Sequence, residues 1–320
     1  MGEHGCVLLY HLFVHNKATR AENHPLVSAY IEFLLVLAYY HSNDCIVVID
    51  NEQGTEGSDF WLAFGYNLST SVDGNLYLYV SSENDTTGVV DIPAQNLSIP
   101  FSVIAGEVVR IDIPPELRLA SAVETAQNKG IHVTTQNKVV LYALNQKTDT
   151  TDGFLVYPTD TLGKRHRAMT YDGGQLYVVA TQDNTTVNLT FSETVTPILS
   201  TCVGCDPLEY AKDETITILL QTGEVYAVEA NPTSGNTLTG TLIESNLPIA
   251  AFSGHQCTFV PTGVRACDHL VEQLPDTKYW GSTYYSMPLA SRVGGDIFRI
   301  VADVDNTDVF INGELIRSLD

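Results

Sequence analysis

From Gly57 onward, the hydrophobic pattern is that of short β-strands. Alternating or β-branched apolar runs recur, as at residues 76–80 and 138–142, and Gly, Asn, Asp and Pro interrupt them. Successive side chains of a strand point to opposite faces, so such runs predict strands joined by turns. No stretch after Gly57 sustains the period of about 3.6 residues that a long helix needs. The pattern therefore predicts an all-β fold.

The same ordered series of sequence elements returns along the chain. A strand followed by an Asp-containing turn occurs at residues 76–89, 176–187 and 297–309. In the first two copies, a Gly-Glu-Val motif and further apolar runs follow at an offset near 110 residues. This period is too long for a solenoid turn or a propeller blade, and some seven short strands per unit are typical of a β-sandwich. We expect tandem β-sandwich-like repeats of about 110 residues.

The repeat divides the chain into segments. Residues 57–165 are the first predicted β repeat, residues 166–285 the second, and residues 286–320 the truncated start of a third. Unless the remaining strands come from elsewhere in a longer natural chain, we expect this incomplete third copy to leave a sheet edge unpaired.

Residues 1–56 do not resemble the rest of the chain. Their apolar run at residues 27–40 is short and interrupted by Glu32, so no membrane insertion is predicted. We interpret this atypical N-terminal segment either as a displaced signal sequence or as a product of how the reading frame was assigned.

Charge narrows the classes of partner. The chain has 38 acidic residues against 16 Lys and Arg, a formal net charge of −22. Such a surface repels nucleic-acid backbones and anionic membrane faces. Nucleic acid is therefore excluded as a partner, whereas cationic protein patches or bound calcium remain compatible. The sequence predicts no cofactor.

Glycosylation and disulfide motifs indicate the secretory pathway. Asn-x-Ser/Thr sequons, the acceptor sites for N-linked glycans, occur at Asn67, Asn84, Asn96, Asn184 and Asn188. These motifs predict a glycosylated, secreted protein.

Two pairs of cysteines stand close enough in sequence for local disulfides. Cys257 and Cys267 flank a short loop, and Cys202 and Cys205 lie in a turn-like stretch. Both pairs suit an extracellular protein. The alternative for Cys202 and Cys205 is a redox motif or half of a zinc site, but the partner residues that either would need are not nearby.

One cluster of polar residues invites an enzymatic interpretation. Ser253, His255, Asp268, His269 and Glu272 offer a nucleophile, imidazoles and carboxylates within a short stretch. Triads are defined by geometry, and the strand-turn-helix context of a nucleophile elbow is missing. A closed zinc site needs four ligands, and His255, His269 and Asp268 supply only three unless a cysteine is added. We interpret these residues as structural and keep a hydrolase or metal site as the weaker alternative.

Acidic and aromatic residues near the C-terminus allow two further interpretations. Asp303, Asp305 and Asp308 are weak calcium candidates, but the pattern lacks the glycine and the distal Glu of an EF-hand loop. We interpret them as residues of an Asx-type hairpin turn. Aromatic residues could form a ligand patch or fill a core: Trp61, Tyr279, Trp280, Tyr284 and Tyr285.

Several blocks resemble the amino-terminal domain of IgGFc-binding proteins. They are Gly-Ser-Asp-Phe-Trp-Leu-Ala-Phe at 57–64, residues 244–257, residues 267–275, Trp280-Gly281 and residues 295–302. The resemblance implies an extracellular module associated with mucus or cell surfaces. No short motif allows binding of antibody Fc to be carried over to particular residues.

The resemblance and the composition together predict a non-enzymatic binding or adhesion module that recognises an extracellular protein or a glycan. The alternative is a structural spacer in a mucin-like or matrix protein. A large exposed apolar patch would favour binding, and its absence would favour the spacer.

Overall fold

The computed structural model describes residues 6–9 (strand backbone), 54–68, 74–121, 124–198, 209–231, 235–260, 266–285 and 297–319. Within these ranges the chain is all-β, as predicted, and its helical structure is limited to short 3₁₀ turns. The turns are Pro93–Gln95, Pro115–Leu117, Thr159–Thr161 and Thr277–Tyr279. The strands are β1 (Cys6–Leu9), β2 (Gly57–Leu62), β3 (Asn75–Ser81), β4 (Thr86–Ile92), β5 (Leu97–Val103), β6 (Val108–Ile113), β7 (Gln127–Asn128), β8 (Ile131–Gln146), β9 (Thr151–Val156), β10 (Gly163–Arg167), β11 (Gln175–Ala180), β12 (Thr185–Thr190), β13 (Thr215–Leu220), β14 (Glu224–Glu229), β15 (Leu242–Thr258), β16 (Asp268–Leu274), β17 (Arg299–Ala302), β18 (Thr307–Ile311) and β19 (Glu314–Leu319).

Strand β8 organises the first group of strands, which we name unit 1 (β2–β6, β8 and β9). Its first half pairs with β2 and β4, and its second half pairs with β3 and β9. Buried residues alternate along both halves, but residues 136–138 are all exposed. The strand bends at these residues, and its two halves thereby belong to the two sheets of a sandwich-like fold.

Strand β15 organises the second group, unit 2 (β10–β16), in the same manner. It pairs with β10 and β12 through its first half and with β11 and β16 through its second half. The register shifts at the same place in both units, between Thr134 and Val139 opposite β2 and between Glu244 and Ile249 opposite β10. Pro248 fits this bend because it has no N–H to contribute to a ladder. Corresponding strands of the two units therefore have the same partners.

The sheet formed by β14, β11, the second half of β15 and β16 is apolar on both faces. Val178 and Ala251 belong to the core of unit 2, whereas Tyr177 and Phe252, the next residues in each strand, belong to the core of unit 1. A strand buried on both sides reads as a continuous apolar run rather than an alternating one, as Leu-Tyr-Val-Val-Ala does at 176–180. This shared sheet joins the two units into one packed body.

The C-terminal strands form smaller sheets. β17 pairs with β1, and β18 pairs with β19 around a tight turn at Asn312 and Gly313, both of which have positive φ. Asn and Gly adopt such angles readily and favour two-residue hairpins. The boundary predicted after residue 165 falls inside β10.

Candidate functional site

The polar cluster singled out in the sequence lies where β9 of unit 1 runs beside β16 of unit 2. Side chains rather than a backbone ladder connect these two edges. The Val271 N–H donates to Asp152 Oδ2 at 2.9 Å, the Thr151 N–H donates to Asp268 Oδ1 at 3.0 Å, and the Tyr157 N–H donates to Gln273 Oε1 at 2.8 Å. Buried backbone N–H groups need such partners, so Asp268 and its neighbours connect the two units.

Ser253 and His255 are both bonded to backbone. Ser253 Oγ accepts the Met169 N–H at 3.1 Å. His255 Nδ1 accepts the Cys257 N–H at 2.9 Å, which leaves Nε2 to donate to the Asp172 carbonyl at 2.9 Å. Burial lowers the pKa of His255, in keeping with a neutral ring that donates once and accepts once.

His269 is held in the same way. Its Nδ1 lies 2.8 Å from the His255 carbonyl, and its Nε2 lies 3.2 Å from Asn145 Nδ2. The ring is 1% exposed, and this burial lowers the pKa of His269 to about 3. Ser253, His255 and His269 each have a structural partner, and the structure does not bring them together as nucleophile and base.

Two carboxyl groups at this junction, those of Asp152 and Glu272, have raised pKa values. Burial raises the pKa of Asp152 to about 8, and the nearby Asp268 adds to this shift, whereas the N–H groups of Val271 and Gly153 oppose it. Burial, followed by the proximity of Asp152, raises the pKa of Glu272 well above its ordinary value. Two neighbouring acids in a poorly hydrated junction favour the neutral form because like charges there are costly.

A disulfide closes the loop next to this cluster. Cys257 and Cys267 are bonded, with their Cα atoms 5.2 Å apart. Phe259, inside the loop, is 44% exposed. Cys202 and Cys205 lie outside the described residues.

The predicted glycan acceptors differ in accessibility. Asn84, Asn96 and Asn184 are exposed, and Asn188 is half-buried and accepts a hydrogen bond from the Thr217 hydroxyl. Asn67 is fully buried, and its Nδ2 donates to the Asn145 carbonyl at 3.2 Å. A glycan on Asn67 is incompatible with this packing, because the nitrogen that would carry the sugar has no access to solvent.

The weak calcium candidates are not arranged around a common point. Asp303 binds two guanidinium groups, with Arg165 Nη2 at 3.2 Å and Arg167 Nε at 3.3 Å. Asp308 accepts a hydrogen bond from the Ser318 hydroxyl, and Asp305 is exposed in the turn. Across the part of the chain that the structure describes, no group of three or more His, Cys, Asp or Glu side chains is placed to hold a metal ion.

The five aromatic residues do not form one surface. Trp61 is 6% exposed and stacks on His132 with ring centroids 4.3 Å apart. Tyr284 bonds through its hydroxyl to the backbone of Gly281, and only Tyr285, at 71%, is strongly exposed. Tyr279 and Trp280 are half-buried.

Tyr279 lines a small cavity together with Tyr157, His166 and Asp276. The cavity offers about 20 Å³ to water-sized molecules, which is about the room that one water molecule needs. This volume is too small for an organic ligand.

Exposed apolar side chains are concentrated near the C-terminus. Half of the large exposed hydrophobic residues among those described lie between residues 297 and 316. They are Ile297, Phe298, Val304, Phe310, Ile311, Leu315 and Ile316. We call these seven residues the C-terminal apolar surface. Contiguous exposed apolar surface is a mark of interaction sites.

Several of these features have little or no local signal in the sequence. Asp152 and Gln273 look like ordinary strand residues, and nothing local indicates that they bridge two units. Arg165 and Arg167 alternate along β10 and so share a face, which could have suggested a paired acidic partner. Leu315 and Ile316 are adjacent in a short strand, so their side chains point to opposite faces. This pair could have indicated that both faces of the strand carry apolar side chains.

The fold defines a class of protein: an all-β protein of packed sandwich-like units, with exposed apolar side chains concentrated near the C-terminus. The sequence model of the family described as "IgGFc binding protein" matches residues 152–319. The chain belongs to this family, which confirms the resemblance found in the sequence. It is 28% identical over 233 residues to the IgGFc-binding protein of Homo sapiens, across 70% of this chain and 4% of that protein. No solved structure matches the chain. Within the described ranges, no helix is long and apolar enough to cross a membrane.

Proposed function

We propose that the chain is a secreted recognition module that binds another extracellular protein through surface complementarity, without catalysis. The observation that carries this proposal is the C-terminal apolar surface, where Phe310, Ile311, Leu315 and Ile316 are each more than half exposed. Membership of a family named for binding supports a protein partner. A glycan partner is the alternative ligand class.

Two features support secretion. The Cys257–Cys267 disulfide suits an oxidising compartment. Three sequons, at Asn84, Asn96 and Asn184, are exposed and so accessible to glycans. The relative's name records binding to antibody Fc, and Fc is therefore the first protein ligand to test.

The absence of catalysis is supported by the bonding of the residues that suggested chemistry. Ser253, His255 and His269 are each bound to a backbone or amide group that fixes their orientation. A general base must be within hydrogen-bond reach of the proton that it removes. Both ring nitrogens of His255 and of His269 instead contact backbone or amide groups of the fold.

A structural spacer is the second candidate. The observation that favours it is the shared core, in which Tyr177 and Phe252 of unit 2 pack within the core of unit 1. Such packing fixes the relative orientation of the units, which a spacer requires.

Secretion is tested by expressing the chain in eukaryotic cells and mapping its peptides without reduction. We expect export, a Cys257–Cys267 link, and glycans on Asn84, Asn96 and Asn184 but not on Asn67. Retention in the cell with free thiols and empty sequons would overturn the extracellular assignment.

Recognition is tested by measuring binding of the secreted chain to immobilised Fc and to mucin glycoproteins. The double variant Ile311→Glu/Leu315→Glu should lose the binding that the parent chain shows. Leu219→Glu is the matched control, because Leu219 is 59% exposed but lies on β13, in unit 2. Equal binding by both variants would remove the C-terminal apolar surface from the recognition site, and no binding by any chain would favour the spacer.

A further inference from the structure

We propose that the Asn67 sequon is a modification site of the newly made, unfolded chain, and that an N-glycan attached there commits the chain to retention in the cell. Asn67 is open to a glycosyltransferase only before the chain folds, so glycosylation and folding compete for the same side chain. This inference rests on the proposed secretion of the protein, and it adds a step that limits how much of the protein is exported.

In the folded chain, the amide of Asn67 is enclosed by residues that follow it much later in the sequence. Asn67 is 0% exposed. Its Nδ2 donates to the Asn145 carbonyl at 3.2 Å and to the Thr150 carbonyl at 3.4 Å, and its Oδ1 accepts the Thr150 hydroxyl. A side-chain amide has two N–H donors and one carbonyl acceptor, so these contacts engage both ends of the group. Any glycan on Asn67 must therefore be attached before these contacts form.

The residues that enclose Asn67 are synthesised after it. Asn145 follows Asn67 by 78 residues, and Thr150 follows it by 83. At a synthesis rate of roughly 5–20 residues per second, the sequon exists for about 4–17 s before its partners do. Asn145 also lies in β8, the strand that pairs with both sheets of unit 1. The sequon is therefore complete well before the structure that buries it can assemble.

Glycosyl transfer changes the atom that the folded chain buries. The donor is an oligosaccharide joined to a lipid through a diphosphate. Asn67 Nδ2 forms a bond to the anomeric carbon of the first sugar, the bond from that carbon to the diphosphate oxygen breaks, and the lipid diphosphate leaves as one amide proton is released. The nitrogen keeps one N–H and loses one of its two donor contacts. The bulky sugar would also need the space that Asn145 and Thr150 occupy.

Displacing Asn145 would disturb the junction between the units. Its Nδ2 donates to the Gly65 carbonyl at 2.9 Å, and its Oδ1 accepts the Arg118 Nε–H at 2.9 Å. Its Nδ2 also lies 3.2 Å from His269 Nε2 of unit 2. Buried polar groups left without these partners oppose folding. Chains that stay unfolded are held by chaperones and degraded by proteases, so retention follows from the glycan.

The chain contains a matched control for the test. Asn67 and Asn96 both begin the tripeptide Asn-Leu-Ser, and Asn96 is exposed in the folded chain. Ser69→Ala and Ser98→Ala each remove one of these two sequons and leave its asparagine in place. The parent chain and both variants are expressed in eukaryotic cells, and glycopeptides are mapped separately in the secreted and the retained chains.

We expect glycans on Asn67 in retained chains only, and glycans on Asn96 in both pools. Ser69→Ala should raise the secreted yield in proportion to the fraction modified, by about twofold if half of the parent chains carry the Asn67 glycan. Ser98→Ala should not raise the yield. Secreted chains that carry a glycan on Asn67, an unmodified Asn67 in both pools, or a yield that does not rise with Ser69→Ala would each refute the proposal.

Export of the parent chain and Ser69→Ala to the periplasm of a bacterium that lacks N-glycosylation separates the effect of the glycan from that of the serine. Both chains should fold there in equal yield, and a higher yield of Ser69→Ala would assign the effect to Ser69 itself and overturn the inference. If the chain is secreted with glycans on Asn84, Asn96 and Asn184 but retained chains lack one on Asn67, the proposed secretion stands and this inference fails. If no sequon is modified and no chain leaves the eukaryotic cell, both fail.

Discussion

Raising the pH from 6.5 to 8 should destabilise the chain through Asp152. Its pKa in the folded chain is raised to about 8 by burial, against an ordinary value of 3.8. For an acid whose folded pKa is raised, the contribution to stability is complete below the unfolded pKa and is lost as the pH rises toward the folded pKa. With the unfolded carboxyl already ionised at pH 6.5, the contribution of Asp152 to the free energy of unfolding falls by about 1.6 kcal/mol over this interval.

The buried histidines act in the opposite direction, mainly below this interval, although each still adds up to about 0.4 kcal/mol of stability between pH 6.5 and 8. Burial lowers the pKa of His255 and His269 below the ordinary value of 6.5. Their stabilising effect is therefore lost as the pH falls below 6.5. Glu272, with a raised pKa, adds to the loss of stability at higher pH.

Urea unfolding, followed by circular dichroism at half-unit pH steps from 6.5 to 8, measures this dependence. The parent chain should lose stability with rising pH, and Asp152→Asn should show a shallower slope because its amide does not titrate. Asn keeps an oxygen that can accept one of the two backbone N–H bonds. Identical slopes in the parent and the variant would refute a protonated Asp152.

Three further outcomes follow from the packing. Phe252→Ala should lower the free energy of unfolding by about 3–5 kcal/mol, because Phe252 is fully buried at the shared core, whereas Phe259→Ala should change it by less than about 0.5 kcal/mol; urea denaturation measures both. Cys257→Ala/Cys267→Ala should lower the free energy of unfolding by about 3 kcal/mol, the entropy of closing a short loop, and a reducing agent should destabilise this variant less than the parent chain. Asp303→Ala should speed backbone hydrogen exchange in β17–β19, because this segment loses its ion pairs with Arg165 and Arg167 on β10. Unchanged exchange would show that these ion pairs do not stabilise the segment.

The strands and their repeated order were predictable because both depend on local pattern. Alternation in β8 and the continuous apolar run in β11 predict strands of different environment. The turns after β3, β11 and β17 are all rich in Asp, Asn and Thr. The recurrence of this turn therefore marks the repeated order of the elements. The family resemblance is confirmed for the same reason, since it depends on short blocks of sequence.

The contacts between units were not predictable because they join residues far apart in sequence. Asp152 and the Val271 N–H are 119 residues apart. Asp303 looked like part of a turn or a calcium loop, and its partners are two arginines on β10. The Asn67 motif is local, but whether its side chain meets solvent depends on the packing of Asn145 and Thr150 against it.

The sheet that unit 2 shares with unit 1 has a mechanical consequence. A pulling force that separates the units must strip β11 and β15 from the core on one side, which exposes Tyr177 and Phe252 to water. Those strands also form part of the core on the other side, so loss of unit 2 would remove one wall of the unit 1 core. Under tension, the pair should therefore extend in a single large step, and it should transmit load below that threshold as a stiff rod.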